Sequence, residues 1–161
     1  MSTRSCIGVM HGNKAKTIYC HSDGYLSYVG EVLLNNYDSS KANHLVAMGD
    51  CSMLGKELGE KIDFNARMEY DTDNKAKQCR FYKRDRDEEN VDFQVCMSDK
   101  DMFEQYAWCE YFYIMQDGVW YVSQGEGTEW KVLADAIAEE NGTMLKAPSV
   151  TKLIGLTEET V

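Results

Sequence analysis

Cys20, His21, Ser22 and Asp23 set a thiol, an imidazole, a hydroxyl and a carboxylate side by side. These are the groups from which covalent enzymes assemble a nucleophile, its base and an orienting acid. The spacing works against that use. Residues 16–21 read as an extended strand, and neighbouring side chains on a strand point to opposite faces. Cys20 and His21 therefore cannot form a thiolate–imidazolium pair without a sharp local distortion. His21 and Asp23 share a face and could hydrogen bond, which orients an imidazole but supplies no nucleophile; Ser22 lies on the wrong side. Cys20 is expected in the core and Asp23 as a cap for the turn or helix that follows. His21 and Tyr25 remain as contact residues for a ligand or partner, and no residue takes a catalytic role.

A second constellation lies at Gln78 to Arg84, which alternates as a strand with Cys79 and Phe81 on one face and Arg80, Tyr82 and Arg84 on the other. Two guanidiniums around a phenol can stack a planar base and hold phosphates, and Lys75, Lys77, Lys83 and Arg86 add positive field. The competing reading is an edge strand protected by charge. A patch this small suits a nucleotide-sized ligand or an acidic loop, not an extended duplex. Other ligand motifs fail on their own terms. The Walker pattern and a G-x-G-x-x-G turn are absent. Gly125-Glu126-Gly127-Thr128 precedes a predicted helix, but Glu126 and Glu129 would repel an anion there. Asp71-Thr72-Asp73-Asn74 looks like a calcium loop, yet Ala76 stands where its glycine belongs and Tyr82 where its bidentate glutamate belongs. The six cysteines form no C-x-x-C pair, and His11, His21 and His44 do not join them at zinc spacing. Neither metal nor cofactor is expected.

The elements that must position these groups begin with a hairpin, Cys6–Met10 and Lys16–His21 around His11-Gly12-Asn13-Lys14. A helix over residues 27–37 carries Val29, Leu33 and Tyr37 on one stripe, and Ser39 or Ser40 caps a second with Leu45, Val46 and Met48. Residues 51–75 are ambiguous. After the strand ending at Arg84, Phe93, Val95 and Met97 mark the inner face of the next, and a short helix spans residues 99–106. Asp117-Gly118 is the preferred type I′ loop between residues 110–116 and 119–123. Pairing Gln116 with Val119 sets Met115 beside Trp120 and Tyr113 beside Val122, with Phe112, Ile114 and Tyr121 opposite. Both faces are apolar, so this hairpin is either central or presents an interface through Tyr111, Tyr113, Met115 and Trp120. Thr128 caps a last helix holding Trp130, Leu133, Ile137 and Ala138. The order predicts an α+β fold: a single domain over residues 1–142, a mostly antiparallel sheet packed with two to four helices, and a tail over residues 143–161, docked or flexible.

Size and charge bound the function. A chain of 161 residues can bury a core without staples, and scattered cysteines behind no signal-peptide pattern point to free thiols in a reducing cytoplasm. No apolar run reaches the roughly 20 residues of a membrane helix, so no membrane partner is expected. The formal charge of −10 is uneven: residues 85–140 hold fifteen acidic and three basic side chains. Such asymmetry argues against direct duplex binding, and leaves a solubilising face, a surface that steers basic partners, or an acidic mimic of DNA.

Tyr19, Cys20, His21, Asp23, Gly24 and Tyr25, with Gly30 and Leu33-Leu34 after them, resemble a Y-C-H-x-D-G-Y element of small, mostly uncharacterised bacteriophage-encoded proteins. Weaker echoes are Phe81 to Arg86 and the hairpin around Tyr113 and Trp120; Ser22 departs from the tryptophan common in that group. The resemblance implies origin and no residue's role: an accessory protein made in the host bacterial cytoplasm. The leading expectation is a non-catalytic inhibitor that binds a host bacterial protein, an anti-defence factor among the candidates. The alternatives are a binder that sequesters a nucleotide-type small molecule and an acidic DNA mimic, and the aromatic hairpin adds the expectation of a homo-oligomer.

Overall fold

The computed structural model describes residues 2–150. Among the described residues the strands are β1 (Ser5–His11), β2 (Lys14–Cys20), β3 (Cys51–Met53), β4 (Arg80–Phe81), β5 (Gln94–Cys96), β6 (Tyr111–Gln116), β7 (Val119–Ser123), β8 (Trp130–Val132) and β9 (Ser149–Val150). They form one sheet in the order β4-β3-β2-β1-β6-β7-β8-β9 with β5 beside β2. Strands β1 (Ser5–His11) and β2 (Lys14–Cys20) form the expected antiparallel hairpin in the register His11↔Lys14. β6 (Tyr111–Gln116) and β7 (Val119–Ser123) form the second, with Gln116↔Val119, Met115↔Trp120 and Tyr113↔Val122. Asp117 and Gly118 both take positive φ, 52° and 81°, as a type I′ turn requires. β1 runs parallel to β6, which joins the hairpins into one sheet. The fold is α+β and mostly antiparallel, as the alternation of the sequence dictates.

Both sheet faces are buried. A short π-turn at Leu26–Gly30 runs into α1 (Glu31–Asn36); with α2 (Ser39–Ala47) and α5 (Leu133–Glu140) it covers the face carrying Ile7, Ile18, Cys20, Tyr113, Met115 and Trp120. α4 (Asp99–Gln105) covers Cys6, Phe112 and Ile114 on the other face. This corrects the expected interface at the aromatic hairpin. Tyr113, Met115 and Trp120 are core, and Tyr111 is half-buried with its ring stacked on Tyr113. The two-sided apolar pattern reflects a central position in the sheet.

Residues the sequence left ambiguous are irregular, and other assignments depart from the sequence pattern. Residues 54–79 form a long irregular excursion between β3 (Cys51–Met53) and β4 (Arg80–Phe81). Buried tyrosines staple it: Tyr28 Oη donates to Leu54 O and accepts from Ala76 N, and Tyr37 Oη donates to Gly55 O. Tyr82–Arg86 is a helix, α3, not the second half of a strand. Asp38, not Ser39 or Ser40, caps α2 by accepting from Lys41 N. Trp130–Val132 is a strand, β8, and α5 starts only at Leu133; Thr128 instead closes the preceding turn by donating to Gly125 O. Of the tail, residues 149–150 pair with β8 as β9 (Ser149–Val150); residues 151–161 lie outside the described residues. No helix among the described residues is long and apolar enough to cross a membrane.

Candidate functional site

The Cys-His-Ser-Asp run is a junction between strand and helix. Cys20 is fully buried on one sheet face, where its thiol donates to Ser22 O. His21 is on the other face, its Nδ1 sharing a 2.7 Å hydrogen bond with Tyr19 Oη. Asp23 turns the chain at a φ of 55° and accepts from Tyr25 Oη, not from His21. Gly24 follows because nothing larger fits: a Cβ would lie 2.8 Å from Ser5 Cβ and 3.0 Å from Thr3 O. The Gly24 N–H donates to Thr3 O, and its carbonyl accepts from buried Tyr113 Oη at 2.6 Å. The motif locks helix, sheet and N-terminal strand together. All six thiols are buried and unpaired, and burial pushes Cys79 and Cys96 up to about 11 and Cys109 to about 12. Thiols so protonated and enclosed are poor nucleophiles.

His21 belongs to a larger surface at a fork in the sheet. The outer edge of β2 is shared between β5 (Gln94–Cys96), opposite Ala15 to Thr17, and β3, opposite Cys20. In the gap between them the Tyr19 N–H donates to Asp50 Oδ1 at 2.8 Å, so a carboxylate substitutes for a strand. Burial raises this carboxyl to about 6; the Tyr19 N–H opposes the rise, and Glu88 and Asp92 add to it. Trp108, 52% exposed, meets the Tyr19 ring edge-on at 6.2 Å. Burial pushes the Tyr19 phenol up to about 12 against the pull of Arg4.

Beyond the fork, His21 N donates to Cys51 O and Ser22 N to Ser52 O, and Cys51 pairs with Phe81, the residue before Tyr82. Tyr82 packs on Phe64 with ring centroids 5.4 Å apart. The Arg86 guanidinium lies 4.4 Å from the Phe64 centroid and 5.0 Å from that of Tyr82, and Arg80 sits 5.6 Å from Phe64. Trp108, Tyr19, His21, Tyr82, Phe64 and Arg86 thus form a strip along one end of the sheet. Of these, His21, Tyr82 and Arg86 were legible as contact residues; Trp108 and Phe64 lie far away in sequence and carry no local signal.

Arg84 leaves the expected ligand set. Its guanidinium donates to Leu58 O at 2.8 Å, Gly59 O at 3.1 Å and Cys79 O at 3.0 Å, and pairs with buried Asp85. Burial alone would raise the Asp85 carboxyl. Hydrogen bonds from Arg84 and from the Phe81 and Ile62 N–H groups outweigh it and hold the pKa below the ordinary value. This pair fastens the 54–79 excursion to α3, and its demand for convergent donors is why residues 82–86 coil. The strand-face triplet of Arg80, Tyr82 and Arg84 therefore does not form, although Arg80 and Tyr82 still meet through Phe64. Tyr25, exposed at the junction, bonds Asp23 and stays apart from these rings.

Two open clefts also lie on the surface of the described residues. One of about 580 Å³ lies between α5 and the β7–β8 turn, over Tyr111 and Val122. The other, about 550 Å³, lies beside Trp120 at the α1–α2 junction. Among the described residues no group of His, Cys, Asp and Glu is placed to hold a metal ion. Fold and site define an α+β protein with a buried set of free thiols and an aromatic–arginine strip at one end of its sheet. Comparison with protein-family models, with curated proteins and with solved structures finds no match.

Proposed function

We propose that the protein is a phage-made accessory protein that acts by binding and inhibiting a host protein, with the strip from Trp108 to Phe64 as its contact surface. The strip itself carries this reading. Tyr, Trp and Arg are the residues that dominate binding energy at protein interfaces, and here they adjoin with rings already packed in place, so little side-chain entropy is lost on association. The enclosed thiols favour binding over covalent chemistry, and the resemblance of the Tyr19–Tyr25 element supplies the phage origin. A tagged full-length chain expressed in infected cells should capture one host protein, and the Trp108→Ala/Tyr82→Ala double variant should lose it. Equal recovery by a variant that folds like the wild type would refute the assignment of the surface, and repeated capture of nothing would refute the function.

Sequestration of a nucleotide-type molecule is favoured by one observation: Arg80 Nε is buried without a hydrogen-bond partner beside the Phe64 ring. A nucleotide that binds there would raise the melting temperature of the wild type and not of Arg80→Ala. If no nucleotide shifts the wild-type transition, this alternative fails.

A further inference from the structure

β5 inverts its own hydrophobic pattern. Phe93, Val95 and Met97 alternate as the inner face of a strand, yet the buried residue of β5 is Cys96, while Val95 is 44% and Met97 55% exposed. The strand is also an edge. Among the described residues it pairs with β2 alone, in the register Thr17↔Gln94, Lys16↔Val95 and Ala15↔Cys96. Tyr19 and His21 send their N–H groups to the outer side of β2, to Asp50 and to Cys51 O. Backbone direction alternates along a strand, so Ala15 and Thr17 also point outward and bond Cys96 and Gln94. Val95 consequently turns its N–H and C=O away from β2, toward an edge that no strand covers among the described residues. Residues 94–97 contain none of the lysines or prolines that usually block such an edge. The next outward N–H, that of Met97, donates to Asp101 Oδ2 at 2.9 Å, so the open edge is centred on Val95. Such an edge beside an apolar stripe is the geometry of strand addition.

Charge selects the occupant. Residues 87–104 hold seven carboxylates and one basic side chain, Lys100. Asp87, Glu88 and Asp92 pair with Lys61, Arg86 and Lys83, which leaves Glu89, Asp99, Asp101 and Glu104 outside ion pairs among the described residues. A second copy of this chain placed edge to edge would bring two such segments together, and like charges opposed across a strand pair resist that. We propose that the free edge of β5 takes an extended basic segment of a partner protein as an added strand. Its alternate apolar residues would cover Val95 and Met97, and its Lys or Arg residues would lie among the carboxylates of residues 87–104. This inference rests on the protein acting by binding, but it uses a surface apart from the Trp108–Phe64 strip.

The probe is a nine-residue peptide alternating valine and lysine, set against its counterpart with glutamate for lysine. The lysine peptide should bind the full chain saturably and slow exchange of the Val95 amide about tenfold or more. The glutamate peptide should bind at least about tenfold more weakly, and salt should weaken the lysine complex. Val95→Lys and Met97→Lys stand at exposed positions; each should keep the fold and lose at least about tenfold in affinity, while Trp108→Ala/Tyr82→Ala should bind like the wild type. An unchanged Val95 amide, or wild-type affinity in Val95→Lys and Met97→Lys, overturns the proposal. Val95 protection that grows with protein concentration without peptide assigns the edge to a second copy and also overturns it. Loss of peptide binding in the Trp108/Tyr82 variant moves the peptide to the strip, refuting the edge while leaving the proposed function standing.

Discussion

Replacing Asp50 with Asn separates what its carboxylate does for the fold from what its charge does against it. The Tyr19 N–H needs an acceptor at the fork, and Asn Oδ1 provides one in the same place. The charge is the unfavourable part, because burial moves the carboxyl from 3.8 to about 6. At about 1.36 kcal/mol per decade, such a displacement is worth about 3 kcal/mol in full. Asp50 is only half-buried, so solvent screening reduces this to about 1–1.5 kcal/mol. The folded pKa lies above the unfolded one, so the contribution is fully present below about pH 4 and is lost as pH rises through about 6. Asp50→Asn should therefore match the wild type at pH 4 and exceed it by about 1–1.5 kcal/mol at pH 8, equivalent to about 2–6 °C in melting temperature for a chain of this size. Urea unfolding of both proteins at pH 4, 6 and 8 measures the difference directly, and titrating groups that do not interact with Asp50 cancel between them. A variant less stable at pH 8, or a difference that does not change with pH, would refute the placement of a half-buried charge at the fork.

Arg84→Ala should cost about 3–5 kcal/mol in urea unfolding, because it strands the Asp85 carboxylate and frees three carbonyls; Arg84→Lys should recover little, since an ammonium cannot span that fork. Gly24→Ala should cost about 1–3 kcal/mol by driving a methyl into Ser5 and Thr3 O, and a neutral result would show that the junction yields. Tyr113→Phe removes the donor to Gly24 O and should cost about 1 kcal/mol, checked by the same unfolding curves. A thiol reagent should find none of the six cysteines in the native chain and all six in denaturant. Rapid labelling of the native protein would contradict their burial.

The two hairpins were legible because each is a local statement. Strand alternation and a two-residue turn specify pairing within a dozen residues, and the register Gln116↔Val119 followed directly. The separation of Cys20 from His21 was legible for the same reason. What local pattern could not carry was competition for buried polar groups. Residues 78–84 have the alternation of a strand, but Asp85 draws in the Phe81 and Ile62 N–H groups and the Arg84 guanidinium, and the chain coils to deliver them. Trp130 was assigned to a helix by its spacing from Leu133 and Ile137; its pairing with Val150 in the sheet depends on a segment twenty residues away.

Composition and alternation by themselves determined an α+β fold with free thiols, two hairpins and Cys20 and His21 on opposite faces, since these follow from periodicity, turn chemistry and the geometry of adjacent side chains. Tertiary structure alone decided that the aromatic hairpin is central, that Arg84 is a structural clasp, and that Val95 and Met97 face outward. It also brought Trp108, Tyr19, His21, Tyr82 and Phe64 into one strip. Those outcomes depend on which face of each element finds cover, and cover comes from residues far away in sequence.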